Sequence, residues 1–103
     1  MYLKAVVDSI RVSLKLSAQR ALLGNVPKCL RSASLDINDS EIVWKCVFDN
    51  DAIDSDFELL SLAGTEIISD FTVSFSIKEI FEVIPYPQKI NHLKWVVYSR
   101  YER

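Results

Sequence analysis

A chain of 103 residues, half of them apolar and only two of them glycine, has material for one hydrophobic core and little for flexible linkers, which excludes disorder and a second domain. Twelve basic side chains against fourteen acidic ones leave a formal charge of -2, a poor balance for a domain whose main work is gripping nucleic-acid phosphates. Lys4, Asp8 and Arg11 interrupt the N-terminal apolar run, so it reads neither as a signal-peptide core nor as a membrane span, and the expected location is the cytoplasm.

Leu3, Val7, Ile10 and Leu14 recur at alternating four- and three-residue spacing, and Ala18, Ala21 and Leu22 continue the stripe, which predicts an amphipathic helix over residues 2–23. Gly24 can take the left-handed conformation that caps a helix, and Pro27 cannot continue it. From Cys29 the period changes to two. Cys29, Ala33, Leu35 and Ile37 oppose Ser32, Ser34 and Asp36, the pattern of a half-buried strand. After a turn at Asn38-Asp39-Ser40, Ile42, Trp44, Cys46 and Phe48 alternate with Val43, Lys45, Val47 and Asp49, completing an antiparallel hairpin. A turn centred near Asp39 sets Cys46 opposite Ser32, away from Cys29, so both thiols are expected to be free.

Ser55 and Glu58 have the spacing of a capping box, and a second helix is predicted from there to about Asp70, with Ile53, Phe57, Leu60, Gly64, Ile67 and Phe71 on its apolar face. Gly64 on that face points to close packing against a sheet. Val73, Phe75 and Ile77 alternate with Thr72, Ser74 and Ser76, and the apolar character resumes at Ile80 to Ile84 after Lys78 and Glu79, which reads as one bulged strand or two short ones. A last strand is predicted over residues 93–100, with Trp95 and Val97 on one face and Val96 and Tyr98 on the other. The expected fold is α+β: a two-layer sandwich in the order helix-strand-strand-helix-strand-strand, its four-stranded, mainly antiparallel sheet covered by two helices in a single domain over residues 1–103. The second helix joins two strands as a crossover, which allows one parallel pair.

Catalytic chemistry is thinly represented. His92 is the only histidine, and it has no partner at a telling spacing. Cys29 and Cys46 fall in strand patterns that suit inert core thiols. One histidine and two separated cysteines do not make a zinc site, and the acidic run Asp49 to Asp56 fails the calcium-loop pattern because Ile53 interrupts it and no glycine follows. Two glycines cannot build a phosphate-binding loop. No cofactor and no metal are expected. Glu66, Asp70 and His92 are the only candidates for a small catalytic group. The acids Asp49, Asp51, Asp54, Asp56 and Glu58 read either as a solvated helix entry or as a docking surface for a basic partner, with Asp70 as an outlying member.

Several segments carry a resemblance: Ala18-Gln19-Arg20-Ala21-Leu22-Leu23-Gly24 with Val26 and Leu30-Arg31, then Phe48-Asp49, Thr65-Glu66-Ile67-Ile68 with Asp70-Phe71, Tyr86-Pro87 with Lys89-Ile90, and Val97-Tyr98 with Arg100 and Glu102. In these residues the chain resembles the CdiI-type immunity proteins of bacterial contact-dependent growth inhibition systems. It departs from them at Asn50-Asp51, where a glycine is expected, and in the more apolar Ile80 to Pro85 stretch. The resemblance implies a non-enzymatic cytoplasmic protein, a monomer or one half of a 1:1 complex, that binds the C-terminal toxin domain of a CdiA-type effector. That toxin would be a nuclease, among nucleases a tRNase, and the acids Asp49, Asp51, Asp54, Asp56, Glu58 and Asp70 would face its basic surface. A cytosolic regulatory or adaptor protein with an unrelated partner is the rival expectation. Arg20 and Arg31 stand where the matched run passes from helix to strand, and for Arg20 a carboxylate partner closing that corner is expected.

Overall fold

The computed structural model describes residues 2–71 and 74–103, and for residues 2–8 the backbone alone. Its elements are α1 (Tyr2–Leu22), β1 (Leu30–Asn38), β2 (Glu41–Phe48), α2 (Asp54–Ser69), β3 (Ser76–Val83) and β4 (Trp95–Ser99). This is the expected α+β order, with two helices on a mixed four-stranded sheet. The side chains of Leu3 and Val7 of the predicted stripe, and Thr72 and Val73 of the predicted third strand, lie outside what is described.

Strand order is β3-β2-β1-β4, with β2 and β3 parallel and the other pairs antiparallel. The register sets Ala33, Cys46 and Phe81 in one row, and Leu35, Trp44 and Glu79 in the next. These rows face the helices. Leu14, Ala18, Ala21 and Leu22 of α1 and Leu60, Ala63 and Ile67 of α2 close over them, all buried at the three- and four-residue spacing of a helical stripe. Gly24 has φ +73, and the amides of Leu23 and Asn25 return to the carbonyls of Arg20 and Leu22, so the last turn of α1 is satisfied at a left-handed glycine.

Gly64 explains how α2 sits so close to β2. A Cβ there would stand 3.0 Å from Cδ1 of the fully buried Trp44, whose indole N–H donates to the carbonyl of Leu60 at 3.0 Å. The bare backbone lets the ring reach a helix carbonyl, and this leaves the largest core side chain with no orphaned donor. Phe48, also fully buried, meets Phe57 edge-on at 4.6 Å and Phe81 at 5.8 Å between ring centroids.

The other face of the sheet departs from expectation. Because β3 and β4 occupy opposite edges and the helices fill one face, residues 84–94 must cross the other, and they do so as a strap. Lys45 Nζ donates to the Asn91 carbonyl at 2.6 Å, the Leu93 amide to Ser34 Oγ at 3.0 Å, and Arg31 to the carbonyls of Ile84 and Gln88. Residues Leu30 to Leu35 are consequently buried on both faces, where alternation predicted a half-buried strand. Val47 is buried as well.

Other corrections concern register. The hairpin turn is Asp39-Ser40, with Asp39 at φ 56, so Cys46 lies opposite Ala33 rather than Ser32. Both cysteines are free and buried, as expected. An irregularity between Ala33 and Ser34 pairs Tyr98 with Ala33 and Trp95 with Leu35, which brings Tyr98 to the helix side; strict alternation had put it on the opposite side from Trp95. β3 runs unbroken through Lys78 and Glu79, which an edge strand tolerates, and Glu79 accepts a hydrogen bond from Ser61 on α2 at 2.9 Å. α2 begins at Asp54, and its entry is held by Asp56 rather than by the predicted Ser55 and Glu58 pair.

Because Phe48 fills the centre of an aromatic cluster, Phe48→Ala is expected to cost about 3 to 5 kcal/mol in urea denaturation, against a total of about 5 to 15 for a domain of this size. A loss below about 1 kcal/mol would contradict its place in the core.

Candidate functional site

One end of the sheet, where β1 begins and β2, β3 and β4 finish, gathers most of the conspicuous side chains. At its centre lies Arg31, only 3% exposed, in the irregular step between Leu30 and Ser32. Its Nε and Nη2 donate to the two carboxylate oxygens of Glu102 at 2.8 and 2.9 Å, and its Nη1 donates to the carbonyls of Ile84 and Gln88 at 2.8 and 2.9 Å. Tyr86 covers the guanidinium with its ring. Arg100 extends the network to Glu102, to Asp49 at 2.8 Å and to the carbonyl of Lys28.

The six predicted docking acids divide between structural and free roles. Asp49 accepts from the amides of Asn50 and Tyr86 as well as from Arg100, and these bonds, Arg100 first, hold its carboxyl down at about 2. It joins the end of β2 to the strap and to the segment after β4. Asp56 accepts from the Ile53 amide at 3.0 Å and from the Cys29 thiol at 3.3 Å. Burial, then that hydrogen bond, pushes the Cys29 thiol up to about 11, and burial raises Cys46 too, so neither is poised as a nucleophile. Asp70 lies at the far end of α2, about 24 Å along a sixteen-residue helix from its start, and accepts from Ser17 at 2.6 Å and Arg20 at 3.2 Å. It ties α2 to α1. Asp70 is therefore the carboxylate partner expected for Arg20, and Arg31 has one of its own in Glu102.

Asp51, Asp54 and Glu58 remain. All three are exposed, and none joins an ion pair among the described residues. They lie in the β2–α2 connection and the first turns of α2, beside Ile53, whose side chain is itself 63% exposed. Of the predicted cluster, these three are the charges free to meet a partner.

Glu66, Asp70 and His92 do not come together. The two acids belong to the helical layer, and His92 belongs to the strap across the opposite face. Among the described residues no group of three His, Cys, Asp or Glu side chains could hold a metal ion, and no helix is long and apolar enough to cross a membrane. Sequence reasoning missed the Arg31-Glu102-Arg100-Asp49 network, although the alternating charges and aromatic of Arg100-Tyr101-Glu102-Arg103 were its one local signal.

Comparison with known families places this small α+β module among the immunity proteins, which neutralise toxins. The matching family model is that of the MafI2 immunity protein, over residues 11–102, and the chain belongs to that family. The immunity-protein reading therefore stands, with a Maf-type family where the resemblance named the CdiI type. No curated protein matches the chain.

Two tests follow from the network. Arg31→Met strands the strap carbonyls and removes two of Glu102's three hydrogen bonds, and is expected to cost about 3 kcal/mol, toward the lower end for breaking a buried pair because Glu102 keeps Arg100. A loss in urea melts of under about 1 kcal/mol would show that the strap holds without it. Asp49 and Glu102 both have carboxyl pKa values lowered by the arginines, so the stabilisation each contributes is complete above its unfolded value and is lost on acidification, for Asp49 as pH falls toward about 2. Thermal melts of Asp49→Asn should therefore fall less steeply than wild type over that window; parallel pH profiles would dissociate Asp49 from acid unfolding.

Proposed function

We propose that this protein acts in the cytoplasm as the antidote to a nuclease toxin, a tRNase in the reading carried over from the CdiI resemblance, by covering the basic surface on which the toxin holds its substrate. The toxin would be the C-terminal domain of a delivered effector, CdiA-type on that resemblance and Maf-type on family membership, and the complex would be 1:1 and free of cofactors. The observation that supports this reading most is the freedom of Asp51, Asp54 and Glu58. A nuclease must present lysine and arginine to phosphates, and a fixed set of carboxylates competes for the same charges. The N-terminus of α2 favours acids locally, so carrying them there costs the fold little.

Replacing Asp51 and Asp54 by lysine changes the net charge from -2 to +2, four units in all, and puts repulsion where attraction is proposed. Stability should move by only about 0.5 kcal/mol. Cells expressing the toxin domain encoded directly upstream should lose protection with the double variant, and the wild-type association rate should fall as salt rises through the range where the screening length is about 8 to 10 Å. Full protection by the folded double-lysine protein, with a salt-independent association rate, would remove these acids from the mechanism.

A further inference from the structure

Of the ten large hydrophobic side chains exposed among the described residues, six surround the end of the sheet that holds the Arg31 network: Leu23, Val26, Ile53, Val83, Tyr86 and Tyr101. Each sits in a connection or at a strand end that the fold brings to that one side. Such gathering is uncommon on a surface that meets only water. Tyr101 is the most exposed of them, at 86%.

Its setting is unusual for so exposed a ring. The residue before it, Arg100, is held by Asp49 and the Lys28 carbonyl, and its amide donates to the Arg31 carbonyl. The residue after it, Glu102, is held by both oxygens to Arg31. The backbone of Tyr101 is thus fixed on both sides while its ring points into solvent. Beside it opens a recess of about 320 Å3, lined by Tyr86, Arg100, Glu102 and Arg103. A tyrosine presented this way has few torsions left to lose on burial, and aromatic anchors of that kind carry a large share of binding energy at the centres of interfaces.

Resting on the reading of the protein as a toxin antidote, we infer that Tyr101 is the anchor of the toxin interface, inserting into an apolar pocket of the toxin domain while Asp51 and Asp54, in a connection at the same end, meet basic side chains at that pocket's rim. The occupant is the toxin rather than a second copy of this chain, because membership of an immunity-protein family implies a toxin partner, and the unpaired acids Asp51 and Asp54 in the β2–α2 connection suit a basic one. The acids then govern encounter, and the ring governs residence.

The test uses the full chain and the catalytically inactive toxin domain encoded directly upstream, with association and dissociation rates followed by surface-bound kinetics. Tyr101→Ala should leave the melting temperature unchanged, weaken binding at least about thirtyfold and place that loss in the dissociation rate, with association within about twofold of wild type. Tyr101→Phe, which keeps the ring, should retain most of the affinity. The D51K and D54K double variant should show the reverse partition, a slower association that rising salt no longer slows. Slowed hydrogen exchange at the amides of residues 100–103 on complex formation gives a readout independent of any substitution. Binding by Tyr101→Ala within threefold of wild type, or exchange at those amides unchanged by the toxin, would overturn the anchor while leaving the antidote reading in place. Failure of the wild-type chain to bind the toxin at all would overturn both.

Discussion

A guanidinium with 3% exposure must find hydrogen-bond acceptors or the chain does not fold, and Arg31 meets that condition only when two distant segments, the strap and the chain after β4, close around it. Its planar fork takes both oxygens of Glu102, and its remaining nitrogen spans two strap carbonyls. A lysine could supply the charge but not this geometry, because its single ammonium cannot bond one carboxylate side-on and two carbonyls in fixed directions at once. At the end of the sheet where β1 begins, the strap over the far face is held by this residue.

That dependence originates in topology. Once β2 and β3 are parallel and β4 pairs with β1, the third and fourth strands lie on opposite edges, and the chain between them has to cross a sheet whose other face is already occupied. An irregular crossing carries many unpaired backbone groups, and the sheet beneath it supplies the partners: Ser34 for an amide, Lys45 for one carbonyl, Arg31 for two more. The polar residues of β1 and β2, which alternation alone would assign to solvent, are the groups that make a loop tolerable against a strand.

The helices, the hairpin and the order of the elements along the chain were legible because their signals are local: three- and four-residue spacing from Leu14 to Leu22, a period of two from Ala33 to Phe48, and a glycine at the end of α1. What escaped was non-local. The irregularity beside Ala33 changes the side of Tyr98 without altering any composition, and the burial of Ser32 and Ser34 comes from a strap more than fifty residues away in sequence. The acids behaved likewise. Spacing identified Asp49, Asp56 and Asp70 as members of one charged cluster with Asp51, Asp54 and Glu58, but the first three are engaged by Arg100, by Cys29 and the Ile53 amide, and by Ser17 and Arg20. Family resemblance had marked Arg31, Asp49, Tyr86, Arg100 and Glu102 in separate segments, and the fold brings these five into one connected group.

The separation of 71 residues between Arg31 and Glu102 has a consequence for synthesis. At about 5 to 20 residues per second, a ribosome that has just added Arg31 takes about 4 to 14 seconds more to add its carboxylate partner. Early in that interval the β1–β2 hairpin and both helices are complete, while β3, the strap and β4 follow in turn before Glu102, so the far face of the sheet waits uncovered with a cation at its edge. The nascent chain therefore passes through a half-clad stage whose length is set by translation rather than by folding, and in which an unpaired arginine keeps the open sheet face hydrated until the strap arrives.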